Sequence, residues 1–208
     1  MEGGVTIISS MARVPFAVLM VLLCATSASG SLHGAPTFRV DPERTTAGFA
    51  VAQLGIEKEH GRLGRTTGTI ELNGQRRVER VDFEIDTRAV STGWDLRDAF
   101  LRSGVMFDTE RYPRMHFRST RIVYEGARLA AVEGDVTLRG VTRPTRFEVR
   151  KIECAIRAES ADETCGAEVF GRISRSAFGM DFLYPLIGDE VELEFHVTAS
   201  RGREADKP

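Results

Sequence analysis

Alternation is the feature that most limits what this chain can become. Val191-Glu192-Leu193-Glu194-Phe195-His196-Val197-Thr198-Ala199 switches between apolar and polar at every step, and Val81-Asp82-Phe83-Glu84-Ile85-Asp86 does the same. Successive side chains of a strand point to opposite faces, so period two means a strand with one dry face. Further segments of strand character are 37–41 with 46–54, then 62–72, 114–124, 128–138, 144–157 and 165–175. Asn73-Gly74, Glu125-Gly126 and Arg139-Gly140 supply turns between several of them. With the first two pieces taken as one bent strand, the sequence holds eight strands.

One segment breaks the period. From Ser91 to Ser103, Trp94, Arg97 or Asp98, and Leu101 recur at helical spacing, with Ser91 or Thr92 as the candidate N-cap. This predicts a helix of two or three turns packed across one end of the sheet. The expected class is therefore all-β, an eight-stranded antiparallel barrel with one short helix. Closure removes the exposed edges that invite aggregation. Such a barrel has room for packed side chains or for one small ligand, and strand number does not choose between them.

The chain ends are of a different kind. An apolar run from Val14 to Ala25, interrupted only by Pro15, follows Arg13 and precedes Thr26-Ser27-Ala28-Ser29-Gly30. A basic start, a short apolar stretch and small residues after it make a secretory signal. The run is too short for a membrane span, which needs roughly 20 residues. A start at Met11 gives a compact basic leader, whereas a start at Met1 brings in Glu2. Met11 is therefore the expected start and Ala28-Ser29-Gly30 the expected cleavage region, with cleavage at Ser27 or Ala35 left open. The organisation read from this is signal 1–30, folded domain 37–200 and polar tail 201–208, with a periplasmic or secreted mature protein. Lipidation at Cys24 is disfavoured because Leu23, not a small residue, precedes it.

Signal removal leaves two cysteines, Cys154 and Cys165, in an oxidising compartment. If strands pair around Glu159-Ser160-Ala161-Asp162, residue 154 falls opposite 165, and a disulfide is expected there. Two buried thiols are the alternative. Zinc is disfavoured, because no histidine lies at ligand spacing.

Charge and motif content narrow the chemistry. The formal charge is −2 and the basic residues are dispersed, so the sequence lacks the electrostatic footprint of a nucleic-acid binder. His33, His60, His116 and His196 are far apart and form no HxxxH or HxH pair. No nucleophile elbow, phosphate loop, EF-hand or zincin motif is present. The expectation is a protein without cofactor or metal that is not an enzyme.

The dry face offers Phe49, Val51, Val81, Phe83, Ile85, Phe117, Val136, Leu193, Phe195 and Val197. Alternation alone reads these as ordinary core. Gln53 shares the face of Phe49 and Val51, where an unpaired amide would cost about 1–3 kcal/mol; it contacts either a ligand head group or neighbouring backbone or water. Gly68, Ala167 and Gly171 would leave space inside. Arg97 and Asp98, beside Arg102, either bind an anionic head or pin the helix to a loop, and adjacent helix positions facing different ways favour the second.

Longer motifs carry a resemblance. They begin with Phe38-Arg39-Val40-Asp41-Pro42, Phe49 to Ile56, Gly61-Arg62-Leu63-Gly64 and Gly68-Thr69-Ile70. Ile85-Asp86-Thr87-Arg88-Ala89-Val90-Ser91-Thr92-Gly93, Arg97-Asp98 and Leu101-Arg102-Ser103 come next. Phe107-Asp108, Tyr112-Pro113, Phe117 to Thr120, Gly134 to Pro144, Ser174 to Met180 and Asp189-Glu190-Val191 complete the set. In this order they resemble the YceI family of lipid- and polyisoprenoid-binding proteins. The resemblance implies an extended lipocalin-like barrel with a long internal apolar pocket, in a family whose members are often exported to the bacterial periplasm; together with the alternating faces of 81–85 and 191–199 it predicts a continuous apolar tunnel. It turns the dry-face residues and Gln53 into expected ligand-binding positions, and makes an isoprenoid or fatty-chain lipid the expected partner. A homodimer is left open. Gln53 and Phe100 stand where the family usually has histidine, and Val105 and Met106 where it tends to have aspartate and phenylalanine, which puts ligand identity in doubt. The expected function is an exported carrier or sequestering protein. An enzyme modifying such a lipid, or a filled barrel used for protein contacts, are the alternatives. Burying about 40 carbons at about 0.8 kcal/mol per CH₂ would formally gain roughly 30 kcal/mol. That exceeds the ceiling of about 18–21 kcal/mol for non-covalent affinity, so head-group contacts would choose between ligands more than hold them.

Overall fold

The structure, a computed structural model, describes residues 36–55, 57–156 and 162–201. The expected export signal, the tip of the 154–165 hairpin and the tail beyond Arg201 lie outside the described residues. The elements run β1 (Thr37–Val40), β2 (Thr46–Gln53), β3 (Glu57–Arg62), β4 (Thr66–Leu72), β5 (Val78–Asp86), α1 (Asp95–Arg102), β6 (Arg114–Glu125), β7 (Arg128–Leu138), β8 (Val141–Ile156), β9 (Glu163–Ser174) and β10 (Ile187–Arg201).

All pairings are antiparallel, in the order β1-β4-β5-β6-β7-β8-β9-β10-β2-β3. β1 also pairs with β10, and that contact closes the sheet: Arg39 faces Ser200 on one side and Thr69 on the other. β1 and β2 lie end to end along β10, with Val40 opposite Ala199 and Thr46 opposite His196. β3 and β4 follow the same bend, Arg62 opposite Gly48 and Ile70 opposite Phe38. Each pair is one bent strand of an eight-stranded closed barrel, the class that alternation predicts. The second bent strand begins at Glu57, earlier than the expected 62, because β3 pairs with β2 along its whole length.

Along β10 the alternation becomes inside and outside: Leu193, Phe195, Val197 and Ala199 are buried, while Glu194 and His196 are exposed. Strand β8 keeps its dry face only by means of a bulge. Val149 faces Val169, but Lys151 faces Glu168, leaving Arg150 as the extra residue. An extra residue shifts the side-chain parity by one. Ile152 and Cys154 therefore line the interior with Ala167 and Cys165. Without the shift, Lys151 and Glu153 would point there. The expected disulfide is present: Cys154 and Cys165 are direct cross-strand partners joined through sulfur, with Cα atoms 4.0 Å apart.

The helix starts later than expected. α1 has Trp94 as its N-cap residue, without a side-chain cap. Ser91 and Thr92 do not cap it, because their hydroxyls donate to the Asp98 carboxylate at 2.9 and 2.6 Å, and the Thr92 N–H adds a third bond at 2.7 Å. Arg97 donates from Nε to Thr92 Oγ1 at 2.7 Å and pairs with Glu59 of β3 at 2.6 Å. The Arg97-Asp98 pair thus ties the helix to the segment before it and to the barrel wall.

Candidate functional site

The barrel holds two apolar cavities, one at each end. The larger, about 660 Å³, lies at the disulfide end and takes its walls from β1 and from β4 to β10. Val81, Phe83, Ile85, Phe117, Phe195 and Val197, all expected from the sequence, line it. The smaller, about 320 Å³, lies under α1 and is lined by the expected Phe49, Val51 and Gln53. Met115 borders both. Val136 and Leu193 border neither; at 0% and 2% exposure they are packed core. The two cavities meet at Met115, one toward each end of the lumen in which the resemblance implies a continuous tunnel.

Phe117, Phe147 and Phe195 form an aromatic floor to the larger cavity. Phe147 meets Phe117 edge-on at a centroid distance of 5.0 Å and Phe195 at 5.6 Å. Edge-to-face pairs at such separations are favoured by the ring quadrupole. The wall beside them is cut away by glycine. A Cβ on Gly134 would come within 2.8 Å of the Phe117 ring, and Cβ atoms on Gly68, Gly171 and Gly61 would overlap the rings of Phe83, Phe147 and Phe49. The last three glycines are the direct cross-strand partners of those phenylalanines. The space that the sequence assigns to Gly68 and Gly171 is therefore filled by rings lying flat along the wall, and the lumen stays clear.

Gln53 ends β2 and is exposed, so it needs no buried partner for its amide. Around it, Trp94, Leu96 and Leu183 stand 57%, 70% and 46% exposed at the mouth of the smaller cavity. Phe100, on the inner side of α1, packs on Phe182 with centroids 5.1 Å apart. The Arg175 guanidinium is buried under this end and donates to the carbonyls of Gly188, Ile187 and Met180. It fixes the loop after β9 against the start of β10. Hydrogen bonding from the Thr92 side chain, outweighing burial and aided by the Thr92 N–H and Ser91, holds the Asp98 carboxyl below the usual carboxylate range.

A model of the YceI-like domain matches residues 38–199, nearly the whole barrel. The chain belongs to the YceI-like family. A UPF0312 protein of Vibrio campbellii is 28% identical over 153 residues, covering 72% of this chain and 78% of that protein. Among solved structures, the Campylobacter jejuni YceI protein superposes with a TM-score of 0.62 at 21% identity, over 73% of this chain and 90% of that one. A polyisoprenoid binding domain from Saccharophagus degradans, implicated in plant cell wall breakdown, gives 0.57 at 17% identity, over 81% and 99%. These structural likenesses are of the fold.

Within the YceI-like barrel, several lining residues escape a reading of the sequence. Phe147 and Val149 complete the larger cavity from β8, and Val169 from β9 beside the Ala167 that the sequence already places inside. Their spacing of two was visible, but β9 mixes Gly, Ala and Val with charges and shows no sharp dry face. Met115, Met106 and Phe107 line the smaller cavity. The last two come from the turn after α1, where no periodicity marks an inward residue.

Proposed function

We propose that this chain is an exported carrier that holds an apolar chain inside its barrel. One observation carries the reading: the larger cavity is lined mainly by apolar side chains, with charged residues among its lining, and its volume, about 660 Å³, falls within the range of about 300–1,000 Å³ typical of ligand sites. The likeness to the polyisoprenoid binding domain of Saccharophagus degradans supports a lipid ligand. Export is supported by the leader sequence and by the Cys154–Cys165 disulfide, a bond that persists in oxidising compartments.

Native mass spectrometry of the protein purified from its host, followed by solvent extraction, tests the proposal. A mass above that of the mature chain, lost on extraction and recovered as an alkyl or isoprenoid lipid, is the expected result. A protein that purifies empty and fails to take up the neutral apolar probe N-phenyl-1-naphthylamine would overturn it.

A further inference from the structure

The two mouths of the barrel differ in charge. At the helix end Arg97 is paired with Glu59 and Arg175 is spent on backbone carbonyls. At the disulfide end the larger cavity is lined by Arg76, Arg77 and Arg128, by Arg150, which lies over the Phe170 ring, and by Lys151, which pairs with Glu153; among the described residues Glu163 is its one carboxylate. Glu163 is engaged twice, by Arg76 and by Arg201. Among the described residues Arg128 forms one ion pair, with Glu125 three residues away, both side chains exposed, a kind of pair worth at most about 1 kcal/mol.

Arg77 is in no ion pair among the described residues. Its guanidinium lies 3.8 Å from the centroid of the Tyr124 ring and reaches the Gly126 carbonyl at 3.4 Å. Stacking on an aromatic face fixes the plane of a guanidinium while leaving edge N–H donors for a planar or tetrahedral anion. Arg77 and Arg128 both line the larger cavity and both reach the turn between β6 and β7, Arg77 at Gly126 and Arg128 at Glu125. Arg128 also donates to Val149 O at 3.4 Å, the carbonyl just before the β8 bulge.

From this we propose that the larger cavity binds a single-chain amphiphile with an anionic head, carboxylate or phosphate. The chain lies inside against the aromatic floor and the head sits at Arg77 and Arg128. The proposal rests on the carrier reading and adds the ligand's chemical class and its direction in the barrel.

The test uses the delipidated protein produced from the full-length gene, at low ionic strength. Tetradecanoate, tetradecyl phosphate and tetradecan-1-ol compete for bound N-phenyl-1-naphthylamine. The two anions are expected to bind about tenfold more tightly than the alcohol, the size of one hydrogen bond to a charged group. The Arg77→Gln/Arg128→Gln double variant should bring all three to the affinity of the alcohol, and Arg77→Lys/Arg128→Lys should keep much of the preference. Equal affinities in the wild type overturn the proposal and leave the carrier reading standing. A preference that survives the double Gln variant also overturns it, as does wild-type protein that binds phosphatidylglycerol vesicles and a double Gln variant that loses that binding while keeping the wild-type affinity for tetradecanoate. Failure of all three chains and of the probe to bind overturns the carrier reading itself.

Discussion

The ring of Phe147 lies over the backbone of Gly171, its direct partner on the neighbouring strand, in space that a Cβ on Gly171 would occupy. Gly171→Ala must push that ring into the lumen, toward Phe117 and Phe195. Overpacking of this kind costs about 1–3 kcal/mol. The expected outcome is a lower urea midpoint together with weaker uptake of N-phenyl-1-naphthylamine. A variant with wild-type values in both measurements would show that the ring does not need the glycine.

Core and cavity wall should respond in opposite ways. Leu193 borders neither cavity and is 2% exposed, so Leu193→Ala should cost about 2–5 kcal/mol and leave chain affinity in the folded fraction near that of the wild type. Val197 lines the larger cavity. Val197→Trp should lower chain affinity severalfold with a smaller loss of stability, because the ring has open volume to enter. Unfolding of Val197→Trp with no folded fraction to titrate would mean that the volume is closed in solution.

The disulfide closes a loop between positions separated by 11 in sequence, which stabilises by roughly 3 kcal/mol in the chain-entropy model. Replacing both Cys154 and Cys165 by serine should lower the unfolding free energy by about that amount. Alkylation of exported protein without prior reduction should label neither sulfur, and quantitative labelling of both would contradict the bond.

Acid should loosen the helix. The Asp98 carboxyl lies below its ordinary range through the bonds from Thr92 and Ser91, so the unfolded chain binds its proton more readily than the folded one. Stability from this group is then complete above the ordinary carboxylate value of about 3.9 and is lost as the pH falls through the lowered native one. Asp98→Asn should lower the thermal midpoint at pH 7 and remove part of the further drop between about pH 4 and pH 2. An identical acid profile in both proteins would sink this assignment.

The strands that could be read from sequence are those in which every second residue is unambiguous. β10 and β5 are of this kind. The β8 bulge is harder, since Val149-Arg150-Lys151-Ile152 breaks the alternation without saying which residue is extra. The disulfide was nonetheless legible, because pairing counted outward from the hairpin turn sets Cys154 opposite Cys165 whatever happens at Arg150. β3 was missed over 57–61, where a polar run carries no dry face and pairing to β2 alone makes the strand. At the site, the inward residues of β2, β5, β6 and β10 were legible. Which of them border the larger cavity and which the smaller was not, because a periodic pattern records the dry face and not the end of the lumen that a side chain meets.

The pairing of rings with glycines bears on what happens when the barrel is empty. Phe83 and Phe147 rest on Gly68 and Gly171 of the wall, and so do not depend on a guest for their contacts. A ligand leaving the larger cavity takes away contacts at one face of each ring only. The pocket is therefore preorganised: little side-chain order has to be created when a chain enters, and that ordering is a main cost subtracted from buried apolar area in binding. Calorimetry should accordingly find a heat-capacity change set by the apolar surface that the chain itself buries, with no added contribution from collapse and reopening of the walls.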